Sequence, residues 1–206
     1  AEGRGCILMG AHLGSFEVLR TLAQRAPVPV WALMYRRNGR TLTTLLDRLA
    51  LTFKDVGYEG ASLAVIAEAT GLKKSSLYHR FPNGKEEMAQ EVLAQVGRVL
   101  DAEIFPVLAG DAPVADKLAR FVMAMDAMYD HGRQSCLLNM LSPPRGVQNG
   151  CGDAIASTFH RLQAALAGVA RQHGVADEEA ELLAEQMLVE LHGALVVARG
   201  MDAPAV

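Results

Sequence analysis

Residues 70–85 read Thr-Gly-Leu-Lys-Lys-Ser-Ser-Leu-Tyr-His-Arg-Phe-Pro-Asn-Gly-Lys. The Thr70-Gly71 pair is typical of a turn, and residues 73–79 are expected to form a short helix after it. The segment 81–84 should end that helix, because proline and glycine favour turns over a continuing helix. A short helix that follows a glycine-containing turn is one half of a helix-turn-helix unit.

The residues before this stretch supply the other half and a supporting helix. Ser62 is a good N-cap for a short helix that precedes the turn at Thr70-Gly71. Before it, one helix face should carry the apolar residues Leu42, Leu45, Leu46, Leu49, Phe53 and Val56. Gly57 is expected to end that longer helix. A complete helix-turn-helix unit with a supporting helix is therefore predicted.

The charge of the second short helix indicates a polyanionic partner. Residues 72–85 contain no Asp or Glu, while Lys73, Lys74, Arg80 and Lys85 supply positive charge, together with His79. Hydroxyl groups on the same segment can reach phosphate oxygens. The wider chain follows this trend, with a formal balance of +6 over residues 1–85 and −9 over residues 86–206. An ordinary helical hairpin that is merely basic is the alternative that these residues leave open.

The same region resembles the DNA-binding domain of TetR-type transcriptional regulators. The resemblance runs from about residue 41 to 95, most specifically in the Leu-Tyr-His-Arg-Phe segment at 77–81, and continues loosely to residue 206. It implies a recognition helix that reads DNA and an all-helical ligand and dimer domain behind it. The residues that it assigns to DNA contact are Ser62, Lys73, Lys74, Ser75, Tyr78, His79 and Lys85. Of these, Lys85 is expected to meet a phosphate at a helix N-terminus.

Downstream of this unit the sequence predicts further helices. A long helix should begin near Lys85 and end or bend at Pro106, with others at about 113–131, 152–173 and 177–199. The fold class is expected to be mainly α, with a short βαβ-like segment in front. The predicted domains are residues 1–38, the helix-turn-helix domain 39–86, and a ligand-binding and dimerisation domain 87–206.

Two of the later helices carry apolar positions at steps of three and four residues, which suits a four-helix bundle across a two-fold axis. Packing inside one subunit is the alternative. A helix-turn-helix protein that reads palindromic DNA needs two copies, which favours the dimer. The positions are Ile155, Phe159, Leu162, Leu166 and Val169 in the first helix, and Ala184, Leu188, Leu191, Leu195 and Ala198 in the second.

Soft, adaptable side chains are concentrated in the middle of the chain and suit a pocket for a small apolar effector. Plain core packing is the alternative. The candidate pocket residues are Met125, Met128, Tyr129, Cys136 and Met140. The spacing of His131, Cys136 and Cys151 matches no common metal site, so neither a metal nor another cofactor is expected.

The first 38 residues have a different texture, in which a strand, a helix and a strand are predicted. The segment from Gly5 to Glu17, in which four residues separate His12 from Glu17, resembles lysophospholipid and lauroyl acyltransferases. That resemblance implies His12 as general base and Glu17 as the group that positions its imidazole. The segment lacks the rest of such an enzyme, so we expect no catalysis; an acyltransferase that uses His12 and Glu17 is the alternative function.

Composition limits the remaining classes. Half of the 206 residues are apolar and 21% are charged, which excludes a chain that is disordered throughout. The sequence contains no run of about 18 apolar residues that would indicate a membrane span. Its three cysteines are not expected to form a disulfide framework. The sequence therefore predicts a cytoplasmic, ligand-responsive transcriptional regulator, acting as a repressor, that binds palindromic operator DNA as a homodimer.

Overall fold

The computed structural model describes residues 36–201, with side chains described from Thr44 onward. This part of the chain is helical and contains no strand, which confirms the mainly α fold class. The predicted βαβ-like segment, with His12 and Glu17, lies outside the described residues apart from its last three. The helices are α1 (Arg36–Gly60), α2 (Leu63–Thr70), α3 (Lys74–Arg80), α4 (Lys85–Val99), α5 (Phe105–Ala109), α6 (Val114–Met128), α7 (Leu137–Leu141), α8 (Gly152–Gln172) and α9 (Asp177–Met201).

Glycine and serine residues mark the break in α1 and the two ends of α2. Gly57 interrupts α1 with a φ of +72°, a left-handed conformation that favours glycine, and this confirms the predicted break. At the start of α2, the Ser62 hydroxyl oxygen accepts a hydrogen bond from the Val65 N–H at 3.3 Å, so the predicted N-cap is confirmed. Gly71 ends α2 with a φ of +70°.

The helix-turn-helix unit has an apolar core. The side chains of Leu49, Phe53, Ile66 and Leu77 are fully buried in it. Arg48 in α1 adds a polar tie, because its Nη1 donates to the carbonyl of Thr70 at 3.0 Å, at the end of α2. Helix α1 therefore supports the turn between α2 and α3 through both buried apolar side chains and the Arg48 hydrogen bond.

The helix that begins at Lys85 ends at Val99, before Pro106, and a new short helix contains the proline. A π-helical turn, Leu100–Ile104, follows α4, and Pro106 then lies in the first turn of α5. A proline there breaks no hydrogen bond, because the first N–H groups of a helix have no partner within it. The extra residue in the π turn allows the chain to restart a helix where the ring fits.

The segment that joins α6 to α8 contains a short helix that was not predicted. Helix α7 has five residues, too few to show a periodic pattern, and all three of its leucines are buried. The loop behind it is held by Asn149, whose side-chain amide donates to the Leu141 carbonyl at 2.9 Å. The Asn149 side-chain oxygen accepts from the Cys151 N–H at 3.1 Å, next to the start of α8.

The apolar repeats of α8 and α9 do not form the dimer face that their spacing suggested. Helices α8 and α9 pack against each other, and the repeating apolar positions face the core of this single chain. Their side chains are removed from the surface because they fill the space between these helices and α4 to α6. The buried members are Ile155, Leu162, Leu166, Val169, Ala184, Leu195 and Ala198, with Phe159, Leu188 and Leu191 partly buried.

The outer side of α9 carries a different apolar stripe. Leu182, Val189 and Val196 are spaced seven residues apart and are 64%, 64% and 44% exposed. Gly193 and Gly200 lie on the same stripe, and a Cβ at either position would meet no atom within 4 Å. A surface of exposed valine and leucine with intervening glycines would allow another helix to approach closely.

Among the described residues, no helix is long and apolar enough to cross a bilayer.

Candidate nucleic-acid interface and ligand cavity

Helix α3 separates its side chains cleanly into a buried and an exposed set. Leu77 is fully buried and Phe81, which follows the helix, is 3% exposed. The basic and hydroxyl side chains lie on the surface, because the apolar residues claim the side that faces α1 and α2. The exposed residues are Lys73, Lys74, Ser75, Ser76, Tyr78, His79 and Arg80.

Five of the residues predicted to contact DNA therefore lie together on one short element. Lys73 is the N-cap residue of α3, and Lys74, Ser75, Tyr78 and His79 follow within it. The Tyr78 ring is 48% exposed, and its edge lies beside the turn that precedes α4. A Cβ at Gly84 would be 3.5 Å from the Cε1 of Tyr78, which places the ring next to the N-terminus of α4.

Ser62 and Lys85 lie at the N-termini of the flanking helices. Ser62 is exposed, and its hydroxyl retains a proton to donate while its oxygen caps α2. Lys85 is half-buried: its Nζ donates to the Tyr58 carbonyl at 2.9 Å and lies 4.2 Å from the centroid of the Tyr58 ring. The sequence did not indicate this contact, which ties the ammonium group to the break at the end of α1.

A cavity of about 50 Å³ lies in the second half of the chain. Four of the five predicted pocket residues line it: Met125, Met128, Tyr129 and Cys136. Met140 does not; its side chain lies against Gly57 and contacts Arg199. The remaining lining is mostly leucine, valine and phenylalanine from α4, the π-helical turn and α6 to α9.

Sequence reasoning missed the two basic side chains of this cavity, Lys54 and His192. Lys54 comes from α1, and its Nζ donates to the Gln134 side-chain oxygen at 2.7 Å. Burial lowers the pKa of Lys54, despite the opposing effect of Cys136 and Asp55. His192 lies in α9 with its ring edge-to-face against Phe159. The sequence feature that could have indicated His192 is its position as a single histidine within the apolar repeat of α9.

His131, Cys136 and Cys151 do not come together as a metal site. Within residues 44–201, no three His, Cys, Asp or Glu side chains lie close enough to hold a metal ion. His131 is exposed and paired with Asp126, whereas Cys136 and Cys151 are buried.

The arrangement of α1 to α3 defines a helix-turn-helix DNA-binding protein, in which α3 presents basic side chains and hydroxyl groups to solvent. Residues 45–92 match the family described as bacterial regulatory proteins, tetR family. The uncharacterized HTH-type transcriptional regulator YxaF of Bacillus subtilis (strain 168) is 23% identical over 163 residues, which cover 78% of this chain and 85% of that protein.

Solved structures agree with this match. A TetR transcriptional regulator from Legionella pneumophila superposes with a TM-score of 0.69 at 22% identity, covering 77% of this chain and 87% of that one. The TetR family regulator CifR, a cysteine mutant solved with 26-bp operator DNA, gives a TM-score of 0.63 at 26% identity, covering 77% and 86%. The chain therefore carries a TetR-type DNA-binding domain over residues 45–92 and is a DNA-binding transcriptional regulator.

Proposed function

We propose that this regulator is a ligand-responsive repressor that acts in the cytoplasm and binds a palindromic operator as a homodimer. The observation that carries the proposal is the exposed, acid-free surface of α3 on a unit whose buried side is fully packed. Lys73, Lys74 and Ser75 would face base edges and nearby phosphates, while Tyr78 and His79 would contact the phosphate backbone. No catalytic step is part of this function.

Ser62 and Lys85 would contribute phosphate contacts from the two flanking helix N-termini. For Ser62 the free hydroxyl proton supports this role. For Lys85 the contact with Tyr58 means that phosphate would compete with, or share, an ammonium group already donating inside the protein. Lys85 is therefore expected to contribute less to DNA affinity than the exposed lysines of α3.

The effector would bind in the cavity lined by Met125, Met128, Tyr129 and Cys136. Its apolar lining favours a small apolar molecule, and the methionines could repack around it. The link to DNA would run through α1, because Lys54 lines the cavity while Arg48, six residues earlier, holds the end of α2. A ligand that prefers one position of α1 would shift the population of DNA-competent dimers.

The dimer would form through the exposed stripe of α9, since the repeating apolar positions of α8 and α9 are mostly buried within the subunit. Leu182, Val189 and Val196 would pack across the two-fold axis, with Gly193 and Gly200 allowing close approach of the partner helix. Two copies joined in this way would present two α3 helices to the two halves of a palindrome.

The test is to place a charge in this stripe. Val189→Asp should give a monomer by analytical ultracentrifugation, because a carboxylate would be buried without a partner in the interface. Operator affinity, measured by fluorescence anisotropy with duplex DNA from upstream of its own gene, should fall with it. Val122→Asp is the matched control: Val122 is 58% exposed on α6, and this variant should stay dimeric and bind normally. A dimeric Val189→Asp variant with unchanged affinity would refute this dimer.

A further inference from the structure

Cys136 lies in an unusual place for a buried cysteine. It occupies the N-cap position of α7, is 3% exposed, and borders the cavity. The hydroxyl of Tyr129 donates to the Cys136 Sγ at 3.5 Å. A hydrogen bond donated to sulfur stabilises a thiolate more than a thiol, so the geometry around Cys136 favours its nucleophilic form.

His192 is held so that it can take a proton from this thiol. Its Nδ1 lies 2.8 Å from the Leu188 carbonyl, which can only accept, so Nδ1 carries the proton and Nε2 presents a lone pair. Nε2 is buried and has no partner at hydrogen-bonding geometry among the described side chains. The Cys136 thiol is nevertheless near enough for the two groups to act on each other electrostatically.

The two pKa directions agree with this geometry. Burial alone would raise the pKa of Cys136, but His192 and the Tyr129 hydroxyl outweigh it, and the pKa of the thiol lies below its ordinary value. Burial likewise opposes the charged form of His192, yet Cys136 raises the pKa of the imidazole overall. The pair is therefore biased toward thiolate and imidazolium.

Cys151 shows what burial does without such neighbours. It is fully buried beside the Asn149 loop and does not border the cavity. Burial and the nearby carboxylate of Glu86 raise the pKa of the Cys151 thiol. Cys151 therefore serves as an internal comparison for Cys136.

We propose that Cys136 is a covalent modification site that adds to small apolar α,β-unsaturated carbonyl compounds in the cavity, with His192 as the proton acceptor. The proposal rests on the ligand-responsive function proposed above and names a chemical class of effector for the same cavity. An apolar electrophile suits the lining better than a charged or strongly hydrated reagent, since leucine, methionine and phenylalanine form most of it.

The step is a balanced addition. The S–H bond of Cys136 breaks and its proton moves to Nε2 of His192. The thiolate forms a bond to the β-carbon of the unsaturated carbonyl, the electron pair of the carbon–carbon double bond moves toward the carbonyl, and the α-carbon takes the proton back from His192. Every atom is retained in the product, and no oxidant, reductant or leaving group takes part. A cavity of about 50 Å³ has room for roughly four water-sized groups, which matches acrolein as a probe.

The experiment treats the full chain with acrolein at pH 7, quenches at intervals and maps the adducts by peptide mass spectrometry. Cys136 should be modified several-fold faster than Cys151, because only the Cys136 thiol has a lowered pKa and a neighbouring imidazole to accept its proton. Cys136→Ser should lose this adduct, and Cys151→Ser should keep it at the wild-type rate. Equal rates at Cys136 and Cys151 in the wild-type chain, which need no variant, would overturn the proposal.

The role of His192 has its own readout. The rate at Cys136 should rise with pH to a plateau whose midpoint lies below the ordinary thiol value, and His192→Gln should move that midpoint upward. The other titratable groups acting here are Tyr129 and Lys54, with Asp55 acting on Lys54. An unchanged midpoint in a His192→Gln variant with wild-type circular dichroism would remove His192 from the step.

Operator binding by unmodified protein is measured in parallel, so that two failures can be told apart. Operator binding without reaction at Cys136 would contradict this inference and leave the proposed function intact. Fast reaction at Cys136 in a chain that binds no operator would support the covalent site and contradict the repressor function.

Discussion

Leu77 and Tyr78 are neighbours in α3 and serve opposite sides of it. Leu77 is fully buried in the core beneath the helix, whereas the Tyr78 ring is 48% exposed. This division could be predicted from sequence, because an apolar residue at helical spacing must face the core and its polar neighbours must then face solvent. The two basic residues of the cavity could not be predicted, since Lys54 and His192 are 138 positions apart and only the folded chain brings both to one cavity.

Ser62 has two roles that substitution can separate. Ser62→Ala removes the oxygen that accepts from the Val65 N–H, and should lower the free energy of unfolding by about 1 kcal/mol. Ser62→Asp keeps an N-cap oxygen and should retain wild-type stability, but its negative charge would repel DNA phosphate. We therefore expect Ser62→Asp to weaken binding to any duplex.

Urea denaturation and DNA anisotropy measured on the same preparations check both parts. The prediction fails for the cap if Ser62→Ala unfolds at the wild-type urea concentration. It fails for the phosphate contact if Ser62→Asp binds DNA with unchanged affinity.

At the scale of elements, helix identity was more predictable than helix boundaries and faces. The breaks at Gly57 and Gly71 were readable because both glycines adopt left-handed conformations that other residues avoid. The π-helical turn before Pro106 and the five-residue α7 were not, since neither has a periodic signature. The spacing of apolar residues in α8 and α9 also could not say whether that face packs within the chain or across a dimer; in the folded chain it lies in the subunit's own core.

Two glycine substitutions test the conformations assigned to α1 and α4. Gly57→Ala should destabilise the protein by about 1–2 kcal/mol, because alanine is strained at a φ of +72°. The control is Gly97→Ala in α4, where a Cβ meets no atom within 4 Å and the backbone is helical. That change should stabilise by roughly 0.5–1 kcal/mol.

Thermal unfolding of both variants gives the measurement. The opposite signs are the decisive feature: a Gly57→Ala variant as stable as Gly97→Ala would show that α1 does not need the left-handed residue.

In the whole molecule, we propose that a basic α3 on each of two subunits reads the operator. The exposed surface of α3 carries Lys73, Lys74 and Arg80, while residues 86–206 have a formal charge balance of −9. Such a distribution would direct α3 to DNA and keep the acidic part of the chain away from it. The sequence predicted this polarity, because it depends only on the order of charged residues along the chain.

The most direct test is operator binding by the Lys73→Ala/Lys74→Ala double variant, titrated by anisotropy at several salt concentrations against operator and scrambled duplexes. Affinity for both duplexes should fall, and the slope of log K against log salt should shrink by roughly 0.9 for each phosphate that the variant no longer neutralises. The preference for operator should drop by roughly 1–3 kcal/mol for each base edge that the variant no longer reads. Arg120→Ala, which removes one exposed charge from α6, should bind as wild type does. A double variant with wild-type affinity, salt slope and operator preference would contradict the assignment of α3 as the DNA-reading helix.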